Sequence, residues 1–98
     1  MKLKDNPIGF KEIVVVDSCD FEEFYLYAEK LKSHLGIVYT KQIDDFDSLY
    51  WQFVFEDSII VLSYDTFLGI SIYPQDGNKS TLIDNQRIEE LYKLIKSL

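Results

Sequence analysis

Two side chains of this sequence have the chemistry that nucleophilic catalysis uses: the single histidine, His34, and the single cysteine, Cys19. A histidine-activated nucleophile needs both groups within hydrogen-bonding distance, with an acid that orients the imidazole. The two residues stand at opposite ends of one predicted helix, so about 15 residues, or roughly 22 Å, separate them. They cannot form one site. We expect His34 to be a donor or cation near the helix C-terminus and Cys19 a small residue where the helix begins.

Three carboxylates, Asp44, Asp45 and Asp47, stand close together beside Ser48. Loop carboxylates can bind calcium, but this segment has neither the glycine turn nor the closing glutamate of an EF-hand. A solvated acidic loop is the better interpretation. No other spacing singles out a carboxylate pair for glycoside hydrolysis, and the glycines are too scattered for a phosphate-binding loop. We therefore expect no metal, no cofactor and no enzymatic activity.

The length of 98 residues predicts a single domain, residues 1–98. One cysteine cannot form an internal disulfide, which favours a reducing compartment. The segment MKLKDNPIGF has no apolar run behind its lysines, so no signal peptide is expected, and no segment is apolar for long enough to cross a membrane. These features predict a cytoplasmic protein.

The chain has 10 basic and 17 acidic residues, for a formal net charge of −7. This charge repels phosphate backbones and anionic lipids, so neither nucleic acid nor a membrane surface is an expected partner. A basic protein partner is compatible with it. A second interpretation is that the charge only keeps the protein soluble.

Two segments have helical periodicity and helix-ending signals. The first begins at Phe21, because Asp20 before it and Glu23 within its first turn have the spacing of a capping box. It ends at Leu35, because Gly36 follows. The second is capped by Asp84 or Asn85. Its apolar residues fall on one side: Ile88, Leu91, Tyr92, Ile95 and Leu98.

Five β-branched or aromatic segments predict strands, at residues 10–17, 37–43, 49–55, 58–64 and 68–73. Residues 1–9 are polar and predicted to be irregular. The order β-α-β-β-β-β-α has connections too short for crossovers, so its four consecutive strands form an antiparallel meander. Two helices cover only one face of such a sheet. We predict a two-layer α+β sandwich, with the element order of the TATA-binding-protein-like fold and no functional implication from that likeness.

Strand alternation divides the sheet between two faces. A two-residue turn at Glu56 and Asp57 places Phe53 opposite Ile60 and Trp51 opposite Leu62. A three-residue link at Asp65-Thr66-Phe67 then places Leu68, Ile70 and Ile72 on the same face. The face predicted to meet the helices is almost entirely apolar: Trp51, Phe53, Phe55, Ile60, Leu62, Tyr64, Leu68, Ile70 and Ile72. The reverse face is unusually apolar for a solvated surface: Tyr50, Gln52, Val54, Ile59, Val61, Ser63, Gly69, Ser71 and Tyr73.

This reverse face resembles the centre of a protein interface, where aromatic residues anchor the partner and charges are few. The predicted anchors on the sheet are Tyr39, Tyr50 and Tyr73. The predicted rim charges are Asp44, Asp45, Asp47, Glu56 and Asp57. Such a surface suits a partner with a basic cleft. The alternative is that the N-terminal segment or a homodimer buries these residues.

The segments YWQFVF and VLSYDTFLGISIYP, in a small acidic chain, resemble bacterial immunity proteins of polymorphic-toxin and contact-dependent inhibition systems. The resemblance implies a protein that occludes a cognate toxin, often a basic nuclease, and it assigns no site residues. Our leading hypothesis is a non-enzymatic module that neutralises a basic toxin by stoichiometric contact. The alternative is a homodimeric structural or small-ligand-binding protein.

Overall fold

A computed structural model describes all of residues 1–98. Its elements are β1 (Lys2–Asn6), β2 (Phe10–Val16), α1 (Phe21–Leu35), β3 (Tyr39–Asp44), β4 (Ser48–Phe55), β5 (Ser58–Asp65), β6 (Gly69–Pro74), a single 3₁₀ turn (Gly77–Lys79) and α2 (Leu82–Ile95). The strands form one antiparallel sheet in the order β1-β2-β6-β5-β4-β3. Both helices contribute to the same apolar core on one side of this sheet. The predicted two-layer α+β sandwich is confirmed.

Helix α1 begins and ends where its capping residues require. The Asp20 carboxylate accepts a 2.9 Å hydrogen bond from the Glu23 backbone N–H, which satisfies one free donor of the first turn. Gly36 adopts a left-handed conformation with φ of 68°, and its N–H donates to the Lys32 carbonyl. Both ends agree with the sequence prediction.

The N-cap of helix α2 lies three residues before Asp84, the first of its two predicted caps. Thr81 is the N-cap, and its hydroxyl accepts a 3.1 Å hydrogen bond from the Asp84 N–H. The Asp84 carboxylate reaches back to the Thr81 N–H at 3.0 Å, which completes a capping box. Asn85 instead accepts a 2.9 Å hydrogen bond from the Lys11 N–H on β2. The prediction of Asp84 or Asn85 as N-cap was therefore wrong, because these side chains belong to the first helical turn.

The N-terminal segment, predicted to be irregular, contains strand β1. Its residues pair with β2 from Lys2 opposite Val14 to Asn6 opposite Phe10. Asn6 then closes the turn, since its side chain accepts from the Ile8 N–H and its carbonyl from the Gly9 N–H. An edge strand needs no apolar run because much of it remains in water, and its charged side chains discourage pairing with other chains.

The central register agrees with the prediction, with Phe53 opposite Ile60 and Trp51 opposite Leu62. The link between β5 and β6 differs, because Asp65 pairs with Gly69 and leaves residues 66–68 in the loop. The pairing of β6 with β5 is therefore shifted by two residues from the expected one. Because side chains alternate with a period of two, this shift leaves the β6 residues on their predicted faces. Leu68 is nevertheless exposed in the loop, so its expected contact with the helices was wrong.

The core lies between the sheet and the two helices. Phe24, Ala28 and Leu31 of α1 and Ile88, Leu91 and Ile95 of α2 are fully or almost fully buried against the sheet. Apart from Leu68, every sheet residue predicted to face the helices is part of this core or packs against it. The opposite side of the sheet has no helix over it.

Candidate protein-binding surface

We call the side of the sheet that carries no helix the open face. Alternation along β4, β5 and β6 places Tyr50, Val54, Ile59, Val61 and Tyr73 there. Val54 and Ile59 are directly opposite each other and retain 47% and 48% of their accessible surface. These two side chains give the open face an apolar area in contact with water.

Tyr50 on β4 and Tyr73 on β6 lie on the same face, on either side of Val61 and Ser63 on β5. Tyr50 lies opposite Ser63, and Tyr73 lies opposite Val61. Val61 and Ser63 are buried although no helix covers them, so the larger neighbouring side chains shield them. Phe10 of β2 adds to this cover, with its ring centroid 6.0 Å from that of Tyr73.

The phenol of Tyr73 is held in its neutral form. Burial raises the pKa of Tyr73, the Ser63 hydroxyl acts in the opposite direction, and nearby Tyr50 and Glu12 raise it further. The tyrosines on the open face are therefore close enough to influence one another. Gln52 lies on the same face between Tyr50 and Val54, so a polar side chain separates Tyr50 from the exposed Val54 and Ile59.

The N-terminal hairpin borders this surface with polar groups. Lys4 on β1 lies 3.5 Å from Glu12 on β2, and the Asn6 amide donates a 3.1 Å hydrogen bond to the same carboxylate. Sequence reasoning missed this contribution because residues 1–9 were predicted to be irregular. The alternation of Phe10, Glu12 and Val14 along β2 was the signal that pointed to it.

Tyr39 does not belong to the open face. It lies opposite Phe53, and its ring packs edge-on against Trp51 and Phe53 on the side covered by the helices. Its hydroxyl donates a 2.7 Å hydrogen bond to the Ala28 carbonyl of α1. Burial is the main cause that raises the pKa of Tyr39. Its prediction as an anchor on the reverse face was wrong, because a register irregularity between Tyr39 and Lys41 places it on the covered side.

The predicted rim charges do not form one ring. Asp44, Asp45 and Asp47 lie at the β3–β4 end of the sheet, whereas Glu56 and Asp57 form the β4–β5 turn at the other end. The eight residues of β4 separate the two groups by roughly 25 Å at the rise of an extended chain.

Two of the rim carboxylates are engaged with the covered side. Asp44 accepts a 2.9 Å hydrogen bond from Trp51 Nε1, and Asp57 accepts one of 2.9 Å from Arg87 Nε on α2. The hydrogen bond from Arg87 lowers the pKa of Asp57. Asp45 and Asp47 make hydrogen bonds only within the β3–β4 segment and to Thr66 in the β5–β6 loop. Neither of them forms an ion pair, and Glu56 forms none either.

Cys19 and His34 each have a local environment that accounts for them. Burial, followed by the charges of Glu23 and Asp20, raises the pKa of the Cys19 thiol, which disfavours the reactive thiolate. His34 Nε2 lies 2.9 Å from the Leu94 carbonyl, so the ring connects α1 to α2.

No group of three or more histidine, cysteine, aspartate or glutamate side chains is arranged to hold a metal ion. Neither α1 nor α2 combines the length and hydropathy of a membrane-spanning helix.

Comparison with known proteins gives one family. The family described as a protein of unknown function, DUF3630, matches residues 5–80, from the first strand to just before α2. The match therefore includes all of strands β2 to β6. No curated protein and no protein of solved structure matches the chain.

Proposed function

We propose that this chain, which belongs to the DUF3630 family of proteins of unknown function, is a non-enzymatic protein-binding module. The observation that carries the proposal is the open face, where Val54 and Ile59 remain about half exposed and which also carries Tyr50 and Tyr73. Apolar groups gathered on one face, with polar groups beside them, are the usual anatomy of a protein interface. Binding a partner there would remove this area from water.

The partner is proposed to be a basic protein. The chain carries a net charge of −7, and Asp45, Asp47 and Glu56 beside the open face are free of ion pairs. Unpaired carboxylates around an apolar surface attract a partner of opposite charge and speed its association. The resemblance of the central strands to immunity proteins adds the partner class: a toxin neutralised by stoichiometric contact in the cytoplasm.

Co-expression with the product of the adjoining gene tests this function, since an immunity gene stands beside the gene of its toxin. We expect an equimolar complex on gel filtration with light scattering and loss of toxicity in the co-expressing cells. A Tyr50→Ala plus Tyr73→Ala variant should keep its circular dichroism spectrum and lose the partner. The matched control is Leu26→Ala plus Leu94→Ala, which removes exposed apolar groups from the two helices and should bind normally.

The same open face favours one alternative, a homodimer in which a second copy covers it. Sedimentation equilibrium of the isolated protein distinguishes the two. A tight dimer that the Tyr50→Ala plus Tyr73→Ala variant abolishes would replace the proposed function by the structural or small-ligand-binding one. A monomer is the result expected for a module that waits for a different protein.

A further inference from the structure

Three large apolar side chains project from two loops at one end of the sheet. Phe46 in the β3–β4 loop is 95% exposed, and Phe67 and Leu68 in the β5–β6 loop are 81% and 69% exposed. We call these three residues the loop-tip cluster. Single exposed apolar residues are common, but two phenylalanines and a leucine at one end of a sheet form a patch of the kind that marks an interaction site.

The two loops are joined to each other. The backbone N–H and the side-chain hydroxyl of Thr66 both donate to the Asp47 carbonyl, at 3.1 and 2.9 Å. Phe46 and Phe67 are each one residue from this contact, so their Cα atoms lie no more than about 15 Å apart. One partner surface can therefore reach both rings.

Carboxylates surround the loop-tip cluster and have no cationic partner. Asp45 and Asp47 flank Phe46, and Asp65 precedes the other loop. All five ion pairs of the structure lie elsewhere, in the N-terminal hairpin, at the β4–β5 turn and on α2. The charges around the exposed rings are therefore available to an incoming cationic surface.

Two members of the loop-tip cluster, Phe67 and Leu68, are continuous with the open face. Phe67 and Leu68 line a groove of about 460 Å³ at this end of the sheet. The remaining lining residues come from β1, β2, β6 and the segment after β2: Lys4, Asn6, Glu12, Val14, Asp17 and Ser71. Because Val14 lies opposite Ser71 on the open face, a partner seated on the loop tips would extend along the groove onto the sheet.

We propose that the loop-tip cluster is the principal anchor for a basic protein whose apolar pocket receives Phe46 and Phe67. The inference rests on the proposed function and locates its main contact at the end of the sheet. Charge complementarity selects this occupant, since unpaired carboxylates around the rings require cationic groups around the partner's pocket. Aromatic side chains seated in a pocket and ringed by polar contacts are the usual form of an interface hot spot.

Selection from a library of random peptides displayed on phage, with the full chain as target, tests the loop tips without a known partner. We expect the enriched peptides to carry excess lysine or arginine together with bulky apolar residues. Phe46→Ser plus Phe67→Ser should weaken their binding at least about tenfold, as expected for interface anchors. The matched control, Leu26→Ser plus Leu94→Ser, removes exposed apolar groups from the two helices and should weaken it less than about twofold.

Two results of this selection would overturn the inference: enriched peptides without a basic excess, or peptides that bind the Phe46→Ser plus Phe67→Ser variant as well as the parent. A homodimer abolished by this variant in sedimentation equilibrium would also overturn it, because the occupant would then be a second copy. The co-expression experiment separates the two proposals. If the parent protein forms no complex, the proposed protein-binding function is wrong. If the Phe46→Ser plus Phe67→Ser variant still forms the complex, only the proposal that the loop-tip cluster is the principal anchor is wrong.

Discussion

Arg87 on α2 holds Asp57 in the β4–β5 turn through a 2.9 Å hydrogen bond from its Nε to Asp57 Oδ1. Arg87 also contacts Glu90 on its own helix, so the guanidinium bridges the turn and α2. The turn at this end of the sheet is therefore tied to the covered side. At the other end, the loop-tip carboxylates have no such contact, which concentrates the available negative charge there.

The Arg87–Asp57 contact predicts a pH-dependent contribution to stability. The folded-state pKa of Asp57 is lowered from its ordinary value of 3.8, so folding favours the ionised form. The contribution is therefore present above this value and is lost as the pH falls through the lower, folded-state pKa. Asp57→Asn should lower the melting temperature slightly at pH 7, with the difference disappearing in strong acid. A difference that stays constant down to the acid transition would contradict the pairing.

The backbone of Gly69 predicts a severe effect of a single added methyl group. Its φ is +79°, and a Cβ there would overlap the Val16 carbonyl oxygen. We expect Gly69→Ala to cost about 3 kcal/mol or more in free energy of unfolding, because the residue can neither change its conformation nor retreat from β2. Urea denaturation measures this cost.

Gly36 supplies the matched control. Its φ is also positive, at +68°, but open space surrounds its position. Gly36→Ala should therefore cost only about 1 kcal/mol, the conformational penalty alone. Equal costs at the two glycines would show that the close approach of β6 to β2 does not govern the effect.

The neighbouring residues Ile59 and Ile60 test the division of the sheet into two faces. Ile60 is fully buried beneath the helices, whereas Ile59 on the open face is about half exposed. Ile60→Ala should reduce the free energy of unfolding by about 2 to 5 kcal/mol through lost contacts and a cavity. Ile59→Ala should reduce it by less than about 1 kcal/mol. Comparable losses in denaturant titrations would mean that both sides of β5 are packed within the protein.

Removing two loop-tip charges should slow association with the basic partner. Asp45→Asn plus Asp47→Asn keeps oxygen acceptors for the loop hydrogen bonds to the Phe46 N–H and the Ser48 hydroxyl. We expect a lower association rate constant and a weaker dependence of that rate on salt, because electrostatic steering is reduced. Stopped-flow or surface plasmon resonance at several salt concentrations measures both.

The control for this charge experiment is Glu22→Gln plus Glu29→Gln on α1. It removes the same amount of charge from the helical side of the protein, away from the open face. Its association rate should remain close to that of the parent. If both double variants slow association equally, net charge rather than the loop tips accounts for the steering.

Local sequence patterns were sufficient to predict most of the helices and strands and the central register. Alternation and turn spacing are properties of neighbouring residues, so the ends of α1, the Phe53–Ile60 pairing and the helix-facing set apart from Leu68 could be predicted from the chain. The open face was also predicted, because two amphipathic helices cover only one side of a sheet of this size.

The way in which distant segments combine into a surface depends on packing between elements. The position of β1 depends on pairing with β2, and the face of Tyr39 depends on an irregularity between β3 and β4. The loop-tip cluster exists because the hydrogen bonds between Thr66 and Asp47 join two hairpins nineteen residues apart. Such contacts arise from packing between elements, which the periodicity of any one segment does not encode.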